Sequence, residues 1–176
     1  MIALVCTDDR WAIGKGNDLL FHIKDDMKEF KKTTTNGIVV MGRKTWESLP
    51  KRPLPNRVNL IVTSQDLKDD PENDTYYTKI EDVMNTIQFL QNEYDISDYK
   101  TFLIGGEQLY FTLINKCSTA VITRVHTVVP DADKFFPDLD KSHSWVTRLY
   151  SDPSKVSPEL EGITYDTLRY YNINHE

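Results

Sequence analysis

The chain has 176 residues and a formal charge of −6, from 27 acidic and 21 basic side chains. A domain of this size buries roughly 70% of its unfolded surface, so it folds without a disulfide or metal staple. With 39% apolar residues, and 7 Phe, 3 Trp and 9 Tyr, it is no disordered chain, and its negative total weighs against a nucleic-acid coat or a polybasic membrane binder.

Residues 2–6 form a continuous apolar run and read as a buried strand. Residues 8–23 mix Asp, Gly, Lys and Asn with Trp11, Ile13, Leu19, Leu20 and Phe21; a loop of that length in a compact domain is usually functional. Lys24–Thr34 has Met27 and Phe30 three apart among charged residues, the spacing of one helix face. Asn36-Gly37 marks a turn, and residues 38–41 a second buried strand. Gly42 opens a short helix over 43–49, stopped by Pro50, and the prolines between Pro50 and Pro55 stiffen the loop after it. Residues 58–63 are a third strand and Thr75–Thr78 a short fourth. Ile80, Val83, Met84, Ile87 and Leu90 carry the helical period. Residues 101–104 are a strand, Gly105-Gly106 a turn, 107–116 a helix, Thr119–Val125 a strand and 132–138 a loop. Residues 145–150 and 163–171 read as a hairpin with a long, proline-containing connection. The alternation predicts an α/β fold: one domain over 1–176, an open, mostly parallel twisted sheet of about eight strands with flanking helices and an antiparallel C-terminal strand.

Three places carry chemistry. Gly105-Gly106 joins an apolar strand to a helix, where backbone can approach a ligand and free N–H groups face an anion; a plain helix-start turn reads equally well. Gly42-Arg43-Lys44-Thr45 repeats the arrangement with two cations and a hydroxyl. Two such turns at the carboxyl ends of parallel strands form the crevice in which open α/β sheets hold nucleotides, so a phosphate-bearing cofactor is expected. Asp26 borders the Met27–Phe30 face, where a carboxylate needs a partner or a role; a first-turn dipole role, equally open to Asp25, is the alternative.

Charge is uneven. Residues 66–98 hold ten acids and two bases, net −8, and read mostly as a turn and an outer helix face; residues 41–60 hold five bases and one acid, net +4. The second segment suits a small polyanion, against the plain alternative of two solvated faces. Cys6 and Cys117 form no CxxC pair, and His22, His126, His143 and His175 are too scattered for a compact zinc motif, so no metal is expected and both cysteines read as reduced. The apolar run before Asp8 is too short for a signal peptide, and none is long enough to span a membrane.

Residues 41–49 (MGRKTWESL), 52–57 (RPLPNR) and 104–110 (IGGEQLY), in that order, together with residues 1–6, Ile13-Gly14, 26–31, 60–65, Thr123 and Phe136-Pro137-Asp138, resemble the dihydrofolate reductase family nearly end to end. The resemblance implies reduction of 7,8-dihydrofolate to tetrahydrofolate, with hydride passing from NADPH to C6 and a proton to N5. It implies service to one-carbon metabolism and thymidylate synthesis by a cytoplasmic monomer, with antifolates such as methotrexate or trimethoprim as inhibitors and no nucleic-acid or membrane partner. By the same resemblance, Asp26 binds the pterin 2-amino group and N3 and promotes N5 protonation through water, with Thr123 hydrogen-bonded to it. Leu4, Val5 and Ile104 match pocket backbone, Met27, Phe30, Leu49 and Leu54 its apolar walls with Lys31 beside them, and Arg57 the fork for the glutamate tail's α-carboxylate. On the cofactor side Cys6 and Ile13 match carboxamide contacts with Gly14 alongside, and Tyr110 lies by the nicotinamide. Gly105 and Gly106 match a cis-linked glycine pair beneath the pyrophosphate, followed by Glu107 and Gln108. Gly42, Lys44 and Thr45 fall at the pyrophosphate, and Arg43 and Ser64, with Thr63, at the 2′-phosphate.

A carboxylate half-buried by Met27 and Phe30 is expected to have a raised pKa. Residues 8–23 match the mobile active-site loop, and Phe21 stands at a catalytic loop position usually held by Trp or Leu, where it lacks the N–H that holds a water. Leu20 and Lys24 replace frequent prolines, and Glu107 and Gln108 a glycine and a basic residue. Two alternatives stay open: a reductase of the same fold acting on a pyrimidine intermediate of riboflavin synthesis, against which Asp26 and Arg57 speak, and a non-catalytic NADPH-binding protein.

Overall fold

The computed structural model describes residues 1–148 and 154–175. In chain order its elements are β1 (Ile2–Thr7), β2 (Ala12–Lys15), β3 (Asp18–Leu19), α1 (Lys24–Thr34), β4 (Ile38–Gly42), α2 (Arg43–Ser48), β5 (Val58–Val62), β6 (Thr75–Thr78) and α3 (Val83–Tyr94). They continue with β7 (Thr101–Gly105), α4 (Glu107–Leu113), β8 (Thr119–Val125), β9 (Lys134–Phe135), β10 (Trp145–Arg148), β11 (Lys155–Val156) and β12 (Thr164–Asn172). The central sheet runs β10-β12-β8-β1-β7-β4-β5-β6, with β11 paired to β12 as a ninth strand. From β8 to β6 every pairing is parallel, while β12 is antiparallel to β8 and also to β10 and β11.

The interior strands are continuous apolar runs because both of their faces are covered. In β4, Ile38 and Val40 join the cluster built with Val83, Ile87 and Leu90 of α3 and Leu109 and Leu113 of α4. The alternate residues Val39 and Met41 point the other way, packing with Ile61, Trp46, Leu49 and Leu54. Leu49 ends α2 in extended geometry, which the following Pro50 favours. The carboxyl ends of β1, β4, β5 and β7 therefore open on one edge of the sheet, and β1 lies between β7 and β8 where the winding reverses.

Several expected elements differ in extent. The segment 8–23 contains β2 and β3, which pair around Gly16 (φ 59°), and β9, inside the expected 132–138 loop, completes a separate three-stranded sheet. Strands of two to four residues carry too little alternation to be read from sequence. Fully buried Asp8 anchors the segment, accepting backbone N–H bonds from Arg10 (2.8 Å), Ala12 (2.9 Å) and Val129 (2.9 Å). Asp133 accepts from the Gly16 N–H at 2.9 Å, and Lys15 pairs with Asp131. The expected helix at 80–90 begins as a 3₁₀ turn at Ile80–Asp82 and continues as α3 to Tyr94, and the expected 107–116 helix is α4 followed by a 3₁₀ turn at Ile114–Lys116. The expected strand at 145–150 is β10; its last two positions, Leu149 and Tyr150, lie outside the described residues. No helix among the described residues is long and apolar enough to cross a membrane.

Candidate active site

A cleft of about 2310 Å³ lies along the carboxyl edge of the sheet. It is lined by every site residue predicted from the sequence except Phe21. Phe21 instead packs against the small cluster of Ile23, Val125, Leu160 and Tyr165 and is not among the residues lining the cleft.

At the centre of the cleft Thr123 Oγ1, near the end of β8, donates to Asp26 Oδ1 on α1 at 2.5 Å. Asp26 is half-buried, and that burial raises its pKa; the Thr123 hydrogen bond and the charge of Lys155 oppose the rise, and Glu29 adds to it. The direction and its first cause, burial, match the expectation, although Met27 itself is 53% exposed on the cleft wall. Cys6 of β1 lies close enough for the Asp26 charge to add to the effect of burial, which pushes its thiol far up, so Cys6 stays protonated.

Three chemically distinct stretches surround this pair. Phe30, Lys31, Leu49 and Leu54 form an apolar wall with one cation, ending at Arg57. Arg57 is 5% exposed, and its burial lowers its pKa. Nε donates to Pro55 O at 2.9 Å and Nη1 to Thr34 Oγ1 at 3.1 Å, so the guanidinium is fixed at its back while it lines the cleft. That is the geometry for forking a carboxylate.

On the other side, Gly105 and Gly106 are joined by a cis peptide bond, with Gly105 at φ +127°. A Cβ on Gly106 would stand 3.2 Å from Thr45 Oγ1, and one on Gly105 would stand 3.5 Å from both Thr45 Oγ1 and the Tyr110 ring. Bare backbone thus floors the cleft here, facing the start of α2. The N-caps of α2 and α4, Gly42 and Gly106, make no side-chain capping bond, which leaves first-turn N–H groups for an anion. Tyr110 is buried and donates to Leu4 O at 2.6 Å; burial drives its phenol well above the usual range, so it remains a neutral donor. Glu107, which the sequence places among the phosphate contacts, accepts from Phe135 N–H at 2.9 Å and so also ties β9 to the cleft.

Further out, Arg43 Nη1 donates to both carboxylate oxygens of Glu47, at 2.8 and 3.0 Å. This pairing orients the guanidinium beside Lys44, Thr63 and Ser64 on the wall. The acidic segment also reaches the cleft, with Lys79, Ile80 and Glu81 lining it, so it is more than the outer face expected. Sequence reasoning missed these three as well as Val62, Val121, Lys155, Tyr165, Thr167, Arg169 and Tyr171. The alternation of 165, 167, 169 and 171 along β12 is a usable signal once its pairing with β8 is known.

This geometry has close counterparts. The family model described as dihydrofolate reductase matches residues 1–170. A dihydrofolate reductase of Bacillus subtilis (strain 168) is 34% identical over 171 residues, covering 95% of this chain and 91% of that protein. A bifunctional dihydrofolate reductase-thymidylate synthase of Paramecium tetraurelia is 42% identical over 168 residues, covering 94% of this chain but 33% of that longer protein. Among solved structures, the dihydrofolate reductase from Enterococcus faecalis complexed with NADP(H) and RAB-propyl superposes with a TM-score of 0.75 at 26% identity, covering 97% of this chain and 95% of that one. Sequence and backbone agree along nearly the whole length, and the chain belongs to the dihydrofolate reductase family.

Proposed function

We propose that this chain, acting as one domain over residues 1–176 and as a cytoplasmic monomer, reduces 7,8-dihydrofolate to 5,6,7,8-tetrahydrofolate with NADPH, for one-carbon metabolism and thymidylate synthesis. The observation that carries the reading is a half-buried carboxylate, Asp26, held by Thr123 in a cleft that also has an arginine-ended apolar wall and a glycine-floored anion cradle.

The cradle fits NADPH. Gly105, Gly106, Lys44 and Thr45 would hold its pyrophosphate, Arg43 and Ser64, with Thr63, its 2′-phosphate, and Cys6, Ile13 and Tyr110 the nicotinamide end beside Asp26. When bound, NADPH supplies the hydride that C6 receives. The chain's own residues do the rest. Asp26 accepts hydrogen bonds from the pterin 2-amino group and N3, fixing the ring. Burial raises its pKa above the ordinary carboxylate range, the direction that suits delivery of a proton to N5 through water. Thr123 holds the carboxylate in one orientation. Met27, Phe30, Leu49 and Leu54 exclude water from the reacting face, and Arg57 takes the α-carboxylate of the tail. Methotrexate and trimethoprim are expected to compete for the Asp26 pocket.

The deciding comparison supplies NADPH and either dihydrofolate or the pyrimidine intermediate of riboflavin synthesis. NADPH oxidation with dihydrofolate alone is the expected result. Oxidation with the pyrimidine alone transfers the reading to the second reductase, and oxidation with neither leaves a binding protein.

A further inference from the structure

We propose that Thr167 is a positioning residue that brings solvent to the Thr123–Asp26 pair from the side away from the substrate, along a polar groove between α1 and β12. The proposal rests on the folate reading above. It starts from an arm of the cleft that this reading leaves unused. β12 runs beside β8 in antiparallel register, with Thr167 opposite Thr123 and Arg169 opposite Val121. Directly opposed residues share a face with Cβ atoms about 4.5–5.5 Å apart, so the Thr167 hydroxyl neighbours the one that donates to Asp26 at 2.5 Å. Thr123, Thr167 and Arg169 all line the cleft.

Helix α1 supplies the facing wall. At about 100° per residue, Asp26 falls on the boundary between two faces of the helix. Met27 and Phe30 lie to one side, toward the folate wall; Glu29 and Thr33 lie to the other, and both line the same cleft. The apolar cluster of Ile23 and Tyr165 closes the amino end of α1 against the sheet; beyond it Glu29 is exposed, Thr33 is half-buried and only Thr34 of α1 is buried, so this side of the helix stays polar.

The reaction consumes a proton: dihydrofolate, NADPH and H⁺ give tetrahydrofolate and NADP⁺. That proton comes from bulk water, and substrate against Met27 and Phe30 covers the front of Asp26. Glu29, Thr33, Thr167 and Arg169 line the cleft on the side of the carboxylate away from Met27 and Phe30. Threonine hydroxyls both donate and accept, so Thr123 and Thr167 can hold a water between them and the carboxylate in either protonation state. The charged and titratable groups around Asp26 come from both walls: Asp25 and Glu29 from α1, the neutral thiol of Cys6 from β1, Lys155 from β11, and the neutral phenol of Tyr165 and Arg169 from β12.

The test is the single-turnover rate of dihydrofolate reduction against pH for Thr167→Val, which replaces the hydroxyl with a methyl. The expected result is a loss of about fivefold on the alkaline limb, the scale of one hydrogen bond, with a larger solvent deuterium isotope effect and KM for dihydrofolate within about twofold. The rate on the acid limb, where substrate is protonated from solution, stays at the parental value, and Thr167→Ser restores the profile. Thr167→Ala carries the same test should valine disturb the strand. A pH profile that superimposes on the parent, or a uniform loss that serine does not repair, overturns the proposal. Failure of the folate reading looks different, since the parent protein itself then shows no turnover of dihydrofolate.

Discussion

Asp26→Asn is expected to slow hydride transfer at neutral pH by roughly 10²–10⁴-fold, the contribution of a positioned acid–base group. The asparagine keeps the size of the side chain and can still accept from Thr123, so the pocket persists while the titrating proton is lost. Acid solution should recover part of the rate, because N5 is then protonated without help from the protein. Stability should move the opposite way. Burial holds the Asp26 pKa above its ordinary value, so the folded chain binds that proton more tightly than the unfolded one, and stability declines as pH rises from the unfolded value to the folded one. Above that window Asp26→Asn is expected to have a higher Tm than the parent; below the unfolded value, about 3.9, no gain remains. A parental rate at neutral pH would remove Asp26 from the reaction, and an unchanged Tm above the window would show that its burial carries no penalty. Gain in stability with loss of turnover is the usual trade at a working site.

The second large effect concerns the cofactor. Arg43→Ala is expected to weaken NADPH roughly 10–100-fold, the range for charge-assisted hydrogen bonds to a phosphate, while NADH, which lacks the 2′-phosphate, changes by less than about threefold. The difference should shrink with added salt. The same substitution breaks the pair with Glu47 four residues on, but that pair is exposed and worth only about 0.3–0.5 kcal/mol. A change in Tm therefore does not account for the loss. Equal weakening of both dinucleotides, measured by fluorescence titration, would place the 2′-phosphate elsewhere.

The parts of the site legible in the sequence are those written in short continuous segments. Gly105-Gly106, Gly42–Thr45 and Asp26 each lie on a single strand-to-helix turn or helix edge, and local chemistry implies what they can hold. The parallel core was equally legible, because residues 38–41 and 102–104 are apolar on both faces, the mark of interior strands. What was hidden depends on pairing between distant segments. The β12 row of Thr167, Arg169 and Tyr171 joins the cleft only through its register with β8, and β9 meets β2 across more than a hundred residues. The burial of Asp26 shows the same limit. The helical period placed it correctly beside Met27 and Phe30, yet its hydrogen-bond partner, Thr123 on β8, and its neighbour Cys6 on β1 come from other segments, and Met27 stands open in the cleft. Phe21 sits in the expected segment, but Ile23, Val125, Leu160 and Tyr165 hold it in an apolar cluster. The net charge of −6 was the least informative number, since the cations proposed to meet anionic ligands cluster over 41–60.

The central claim is that this chain moves hydride from NADPH to C6 of dihydrofolate. It is tested most directly by supplying NADPH deuterated on the transferring face of nicotinamide C4 and reading the product by NMR. Tetrahydrofolate carrying deuterium at C6, formed together with NADP⁺, is the predicted result; NADPH consumed with no label at C6, or no NADPH consumed when dihydrofolate is added, would contradict it.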